Sequence, residues 1–302
     1  MLGRAIIKQL ADRSDTSLLA IYRANPPQSS EQIVNRVVDL DQPDEIARAL
    51  LEFNPTVLIH TAATGMQQPR PDETTLRNVN VELPARLAEA ASALDGCHFV
   101  HISSGLAYKD QGRPLLEYDP LDTMHPYGAS KAEAEGKLRS VAQDRHLRLT
   151  ILRPFSFTGE GDFGTRLFPS LLRSALEKQP FEMSAGDQVR DHASVNDIAR
   201  GVIAAAFAHS EQRPAIFNLG SGDTRTLREL VTSVTQDLGI DVDVRFGARA
   251  YSPHEQMFMA ADITNARREL GWQPRENIAQ AVWELASSSF PALKIDKPKK
   301  AP

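Results

Sequence analysis

The sequence predicts an α/β protein built on a doubly wound parallel sheet, with a smaller C-terminal region. Three observations carry that reading. Short apolar runs alternate with longer amphipathic stretches along most of the chain. The runs are apolar almost without interruption, the pattern of strands covered on both faces rather than one. At 302 residues the chain is long enough to bury one large core or two smaller ones.

Taken in order, residues 6–11 form a short amphipathic helical pattern, and residues 17–22 (SLLAIY) read as the first strand. A helix follows over 43–52, where Asp44 after Pro43 places a carboxylate at the positive helix end. Residues 56–60 (TVLIH) are a strand, 81–94 a helix, and 98–103 (HFVHIS) a strand. A long helix over 127–145 leads into a strand over 147–152 (LRLTIL). After Pro154 the pattern loosens into loop and short helix. A helix over 195–208, a strand over 215–219 and a polar helical region complete it. The tail from Pro291, with Lys294, Lys297, Lys299 and Lys300, reads as a solvated, disordered end.

Composition removes several function classes. With 34 Lys and Arg against 39 Asp and Glu, the net charge is 34 − 39 = −5, unlike a general nucleic-acid or anionic-membrane binder. One cysteine, Cys97, excludes an intramolecular disulfide framework and suits a reducing cytoplasm. No apolar run reaches the ~18 residues of a membrane span. Arg4 and Lys8 interrupt the first ten residues, which do not resemble a secretory leader. His98 and His101 are three apart on a strand, face opposite sides and make a poor metal pair. No Gly-x-Ser-x-Gly elbow is present.

The strongest local signal is Tyr127-Gly128-Ala129-Ser130-Lys131. On a helix, Tyr127 and Lys131 share one face, and an ammonium beside a phenol favours phenolate. That pairing lowers the tyrosine pKa toward neutrality and makes a usable proton donor and acceptor. The plain alternative is a surface helix start. Upstream, the strand over 98–103 runs into Ser104 at its carboxyl end, where open α/β sheets bind ligands. Loop capping is the plain reading of Ser103 and Ser104.

Together, the strand–Ser104 junction and Tyr127-x-x-x-Lys131 resemble the extended short-chain dehydrogenase/reductase family, in its nucleotide-sugar branch of epimerases, dehydratases and ketoreductases. Further segments match in the family's order: Asp39-Leu40, Val57 to Ala63 (VLIHTAA), Asn78-Val79-Asn80, Leu152 to Gly159 (LRPFSFTG), Arg190 to Asp197 (RDHASVND), Asn218 to Gly222 (NLGSG) and Asp262 to Pro274. The resemblance implies a Rossmann-type dinucleotide-binding domain over 1–154, to which 187–220 return. It places a substrate-binding region over 155–186 and 221–290. It makes Tyr127 the acid/base, Ser104 the group that orients the reacting oxygen, and Lys131 the holder of a cofactor ribose. Gly3, Arg23, Asp39, Leu40, Ala62, Ala63, Asn78 and Phe155 fall at cofactor-contacting positions, with Asn78 also supporting the active site. Ser156, Arg190 and Arg249 fall at substrate positions, Arg190 against the diphosphate; its structural reading is a salt bridge to Asp191 or Asp197. A homodimer is implied, pairing the helices over 81–94 and 127–145, where Gly136 permits close approach.

Departures narrow the reading. Dehydratases of this branch carry an acid pair where Gly105 and Leu106 stand, so dehydration is disfavoured against 4-keto reduction or epimerisation. Ser156 replaces the usual asparagine. Residues 249–257 resemble a segment of deoxysugar 4-ketoreductases, but Ser252 stands where an arginine is expected; Arg249 is either its replacement or a solvated loop residue. The run ending at Tyr22-Arg23 carries no acid for the ribose hydroxyls of NAD, so NADP is expected, with NAD the alternative. Of 17 glycines only Gly3 precedes Gly65, so the family's first strand and two of its three phosphate-loop glycines are missing. Either residue 1 is an internal methionine of a longer chain, the reading favoured here, or the fold binds cofactor poorly. A non-catalytic dinucleotide sensor is the remaining alternative.

Overall fold

The apolar runs form parallel strands, as their composition implies. The computed structural model describes residues 1–11, 13–24, 26, 32–38, 43–66, 71–121, 124–208, 214–252 and 255–298. Its helices are α1 (Leu2–Ala11), α2 (Pro43–Phe53), α3 (Glu73–Arg77), α4 (Leu83–Ser92), α5 (Pro126–Asp144), α6 (Leu167–Glu177), α7 (Val195–Phe207), α8 (Leu227–Asp237), α9 (Thr264–Leu270) and α10 (Ile278–Ser289). The strands are β1 (Leu18–Tyr22), β2 (Ile33–Val37), β3 (Val57–His60), β4 (His98–Ile102), β5 (Arg148–Pro154), β6 (Ser156–Thr158), β7 (Phe181–Met183), β8 (Val189–Arg190), β9 (His192–Ser194), β10 (Ala215–Leu219), β11 (Val244–Phe246) and β12 (Phe258–Met259).

The main sheet has the order β10-β5-β4-β3, all parallel. β1 and β2 form a separate parallel pair. Alternation along β4 shows why the middle runs carry apolar residues on both faces: neighbouring residues enter opposite layers. Val100 joins a core with Ile6 and Leu10 of α1 and Ile198 and Val202 of α7. Phe99 joins another with Ile46 and Leu50 of α2, Leu87 of α4 and Leu138 of α5. A third core lies among α6, α8 and α10, where Leu171, Val231 and Val282 are fully buried.

The sheet is divided in two, as the absence of a central first strand implies, with β1 and β3 facing one cleft. Two features depart from the sequence reading. β2 had no sequence signal because Asn35 and Arg36 interrupt its apolar run. Residues 291–298 do not hang free: Leu293 and Ile295 pack on the third core, and the Asp296 N–H donates to the Leu238 carbonyl at 2.8 Å. Lys299 and Lys300 lie outside the described residues, as do Asp39 and Leu40.

Buried histidines concentrate in the strands. His98 donates from Nδ1 to the Ala206 carbonyl and accepts at Nε2 from the Thr150 hydroxyl, both at 2.9 Å, which fixes its neutral tautomer. On the other face, the His60 and His101 rings stack 5.4 Å apart with Nδ1 atoms at 3.3 Å. Burial pushes His98 down to about 4 and His60 and His192 down to about 3. These folded pKa values lie below the unfolded value, so below about pH 6.5 the unfolded chain takes up protons that the native state refuses. Stability is therefore complete above that pH and falls as pH drops toward 4. Thermal unfolding should show Tm declining steadily between pH 7 and pH 5; a flat Tm over that interval would contradict the burial of these rings in neutral form.

Candidate functional site

The site assembles where β4 and β5 end and α5 begins. Past Ile102 the chain stays extended through Ser104 (φ −162°), whose Oγ accepts from the Leu106 N–H at 3.1 Å and caps the short turn Gly105–Ala107. The first turn of α5 lies directly against it. A Cβ on Gly128 would sit 2.1 Å from the Leu106 carbonyl oxygen, so only glycine lets the two segments meet. This contact fixes Tyr127, the preceding residue. Gly65, held at φ +102°, closes on the same ring: a Cβ there would lie 3.6 Å from Tyr127 Cδ2. Ser104, Leu106, Tyr127, Phe155 and Ser156 line a cavity of about 320 Å³, with Thr61 and Ala63 beyond β3 on its far side.

Lys131 follows one helical turn after Tyr127 and is completely buried. Its Nζ has no hydrogen-bond partner, and burial lowers its pKa to about 8 against the opposing pull of Glu135. A buried ammonium without partners is costly, and an acceptor oxygen from outside, such as a hydroxyl, would satisfy it. The ribose of a dinucleotide fits that requirement. Tyr127 differs from the expectation: burial pushes its phenol up to about 12, with only Arg166 pulling the other way. Desolvation of the ring outweighs any gain from the lysine at sequence spacing of four.

The other sequence-derived residues divide into groups. Gly3 packs in the first turn of α1, where a Cβ would lie 2.9 Å from Thr61 Oγ1. Ala62 and Ala63 follow β3 as expected. Phe155 is buried and stacks on Tyr108 with ring centroids 6.1 Å apart. Ser156 faces the cavity at the start of β6. Arg23 is exposed just past β1. Asn78 is also exposed; the buried asparagine is Asn80, which accepts from the Thr64 N–H at 2.9 Å and donates to the Thr64 carbonyl and to Ser130 Oγ. A π-turn over Asn78–Glu82, between α3 and α4, widens the helix and turns the inward position past residue 78. Arg190 does not pair with Asp191 or Asp197; it pairs with Glu255 at 2.5 Å. Arg249 is exposed on the loop after β11.

Sequence reasoning missed the guanidinium that does line the cavity. Arg166 donates to Asp162 Oδ1 at 2.9 Å and to the Phe157 carbonyl at 2.6 Å. It carries no motif signal, only its place after Thr158-Gly159. Asn80 could have been chosen over Asn78 only from the helix register.

A model of the NAD dependent epimerase/dehydratase family matches residues 1–220. The dTDP-6-deoxy-L-talose 4-dehydrogenase (NAD(P)(+)) of Kitasatospora kifunensis is 28% identical over 308 residues, covering 96% of this chain and 92% of that one. The UDP-glucose 4-epimerase of Lactobacillus helveticus is 26% identical over 223 residues, or 67% of each chain. Among solved structures, MoeE5 in complex with UDP-glucuronic acid and NAD superposes with a TM-score of 0.85 at 23% identity, covering 97% of this chain and 96% of that one, a likeness of fold.

Two substitutions test this geometry. On helix propensity alone, Gly128→Ala would stabilise by about 1 kcal/mol. The Leu106 carbonyl reverses that sign, and chemical denaturation should show a loss of roughly 1–3 kcal/mol. Asn80→Ala should cost about 1–3 kcal/mol, whereas Asn78→Ala should change stability by less than about 0.5 kcal/mol.

Proposed function

The chain belongs to the NAD dependent epimerase/dehydratase family, and from that premise we propose that it is an enzyme of nucleotide-activated sugars. Its reaction is hydride transfer at a sugar carbon, by 4-keto reduction or epimerisation and not by dehydration. The observation that carries this reading is the orphaned Lys131 Nζ, buried one helical turn from Tyr127, which lines the cavity. Relatives named as a 4-dehydrogenase and 4-epimerases support it.

A bound nicotinamide supplies or accepts the hydride; the protein's residues hold the oxygen and move the proton. Tyr127, kept protonated at neutral pH by burial, donates to the alkoxide that forms on reduction. The Lys131 ammonium then stabilises the phenolate and holds a ribose hydroxyl. Ser104 accepts from Leu106 N–H and keeps its own hydroxyl proton for the reacting oxygen. Dehydration lacks its acid: Leu106 carries none, and a Cβ on Gly105 would meet the Phe155 ring at 3.0 Å. Ser156 contacts the sugar from the cavity wall.

The finer assignments follow from particular residues. NADP is preferred over NAD on Arg23 beyond β1, where an acid would favour NAD. A homodimer through α4 and α5 is supported by Gly136, beside which a Cβ would meet nothing within 4 Å. A cytoplasmic setting suits Cys97, the single cysteine, buried and with its thiol pushed up to about 11.

Turnover should be followed with NADPH or NADH over a panel of UDP- and dTDP-linked sugars and their 4-keto forms. Tyr127→Phe should reduce turnover by roughly 10²–10⁴-fold while cofactor binding, followed by nicotinamide fluorescence, is retained. Lys131→Met should weaken cofactor binding as well. Net cofactor consumption identifies a reductase and its absence an epimerase. Undiminished turnover in Tyr127→Phe would overturn the mechanism; saturable binding with no turnover on any sugar would make the chain a sensor.

A further inference from the structure

The main sheet ends at β10, which pairs with β5 alone among the described residues. Its outer edge is closed by side chains. Glu117 Oε1 accepts from the Asn218 N–H at 3.0 Å, and Asn265 of α9 donates to the Ile216 carbonyl at 3.1 Å. Beside that edge lies a cavity of about 640 Å³, twice the volume of the one at Tyr127 and sharing no lining residue with it. Residues of α5, α9, β5 and β10, and the segment 116–119, contribute its walls. It sits at the opposite end of the sheet from β3.

Several charged groups of this cavity are only partly committed among the described residues. Arg139 of α5 meets an acid only at 3.9 Å, at Glu135 Oε2, a carboxylate already held by Arg153 and Ser103. Arg268 of α9 donates through Nε to Glu269 at 2.8 Å and through Nη2 to Asn265 at 3.1 Å, leaving Nη1 without a partner. Glu117 is half-buried, and its Oε2 accepts nothing while Oε1 serves Asn218. Asp262 is also half-buried; its Oδ1 accepts from the Thr264 N–H at 2.8 Å and its Oδ2 is unused. Burial first, and then the Asp262 charge, raise the Glu117 carboxyl above its ordinary value. A hydrogen-bond donor from outside would favour its charged form.

The array has two ends. The guanidiniums of Arg139 and Arg268 are exposed and offer N–H groups only, which suits a phosphate. The carboxylates of Glu117 and Asp262 offer lone pairs only, which suits hydroxyl groups and repels an anion. We infer that this cavity is a second ligand site, for a phosphorylated sugar, with the phosphate on Arg139 and Arg268 and the sugar hydroxyls on Glu117 and Asp262. The volume is that of an ordinary small-ligand pocket. A free sugar phosphate and the ribose phosphate of a nucleotide share this chemistry. Tyr118, which also lines the cavity and is 81% exposed, offers a ring on which a nucleotide base would stack. The inference stands apart from the proposed catalysis, since none of these residues lines the cavity at Tyr127.

Calorimetric titration of the full chain with glucose 1-phosphate and, separately, with uridine 5′-monophosphate tests this. Saturable binding of at least one is expected. Glucose and inorganic phosphate should each bind roughly 10–100-fold more weakly, because each reaches one end of the array. Replacing Arg139→Gln and Arg268→Gln together should weaken binding by a similar factor and leave Tm unchanged, both side chains being exposed. Asp262→Asn keeps the acceptor for Thr264 and should weaken glucose 1-phosphate without weakening inorganic phosphate. A preference for the nucleotide that Tyr118→Ala removes identifies a nucleotide site. Binding of glucose 1-phosphate that equals the nucleotide's and ignores Tyr118→Ala identifies a free sugar phosphate. Binding that survives the double arginine replacement lies elsewhere and overturns the inference. So does inorganic phosphate binding as tightly as glucose 1-phosphate, and so does the absence of saturable binding by either compound.

Discussion

One buried ion pair holds the geometry of the candidate site together. Arg153 of β5 and Glu135 of α5 are each about 1% exposed and meet through two hydrogen bonds of 2.9 and 2.5 Å. The same guanidinium donates to the Tyr108 hydroxyl at 2.7 Å and to the Glu117 carbonyl at 2.9 Å, and Ser103 Oγ donates to Glu135 at 2.5 Å. Tyr108 passes the connection on to Asn218 of β10 at 2.7 Å. Each partner lies one step from a residue of the site: Ser103 precedes Ser104, and Glu135 follows Lys131 by one helical turn. A buried charge pair stabilises only when its remaining hydrogen-bonding capacity is met, and here backbone and hydroxyl groups meet it. Removing either charge would leave the other stranded in the centre of the fold, a loss of about 3–5 kcal/mol.

A second constraint secures the loops that close over the sheet. Asp191 is fully buried, and its carboxylate accepts from the Ser221 N–H and hydroxyl and from the Gly222 and Ala261 N–H groups. A Cβ on Gly220 would come within 2.4 Å of that carboxylate, which explains a glycine there without appeal to φ. Burial nevertheless raises Asp191 to about 6, so the loop anchor gains its charge in the same range where the histidines would gain theirs. The two effects oppose one another: the acid favours the folded state at low pH and the histidines disfavour it.

How much of this was legible depended on whether the cause was local. The strands around Phe99 and Ile151 announced themselves because both faces are covered, leaving no polar alternation. The helix bearing Tyr127 and Lys131 was readable from its spacing, and the collision space at Gly128 explains its glycine afterwards. Where the cause was remote, the residues alone misled. Desolvation of Tyr127 depends on the whole cavity wall, and the partner of Arg190 lies 65 residues away at Glu255. The shift from Asn78 to Asn80 required the extra width of a π-turn, which no periodicity marks. The tail looked solvated because of its four lysines; Leu293 and Ile295 suffice to seat it, with Lys297 laid over the Trp283 ring at 5.3 Å.

The separation of β1–β2 from the main sheet also has a kinetic meaning. Among the described residues no strand ladder ties this pair to β3, and α1 packs against α7 and α2 against α4. Cooperativity is carried by contiguous ladders and packed helices, and a break in the ladder divides it.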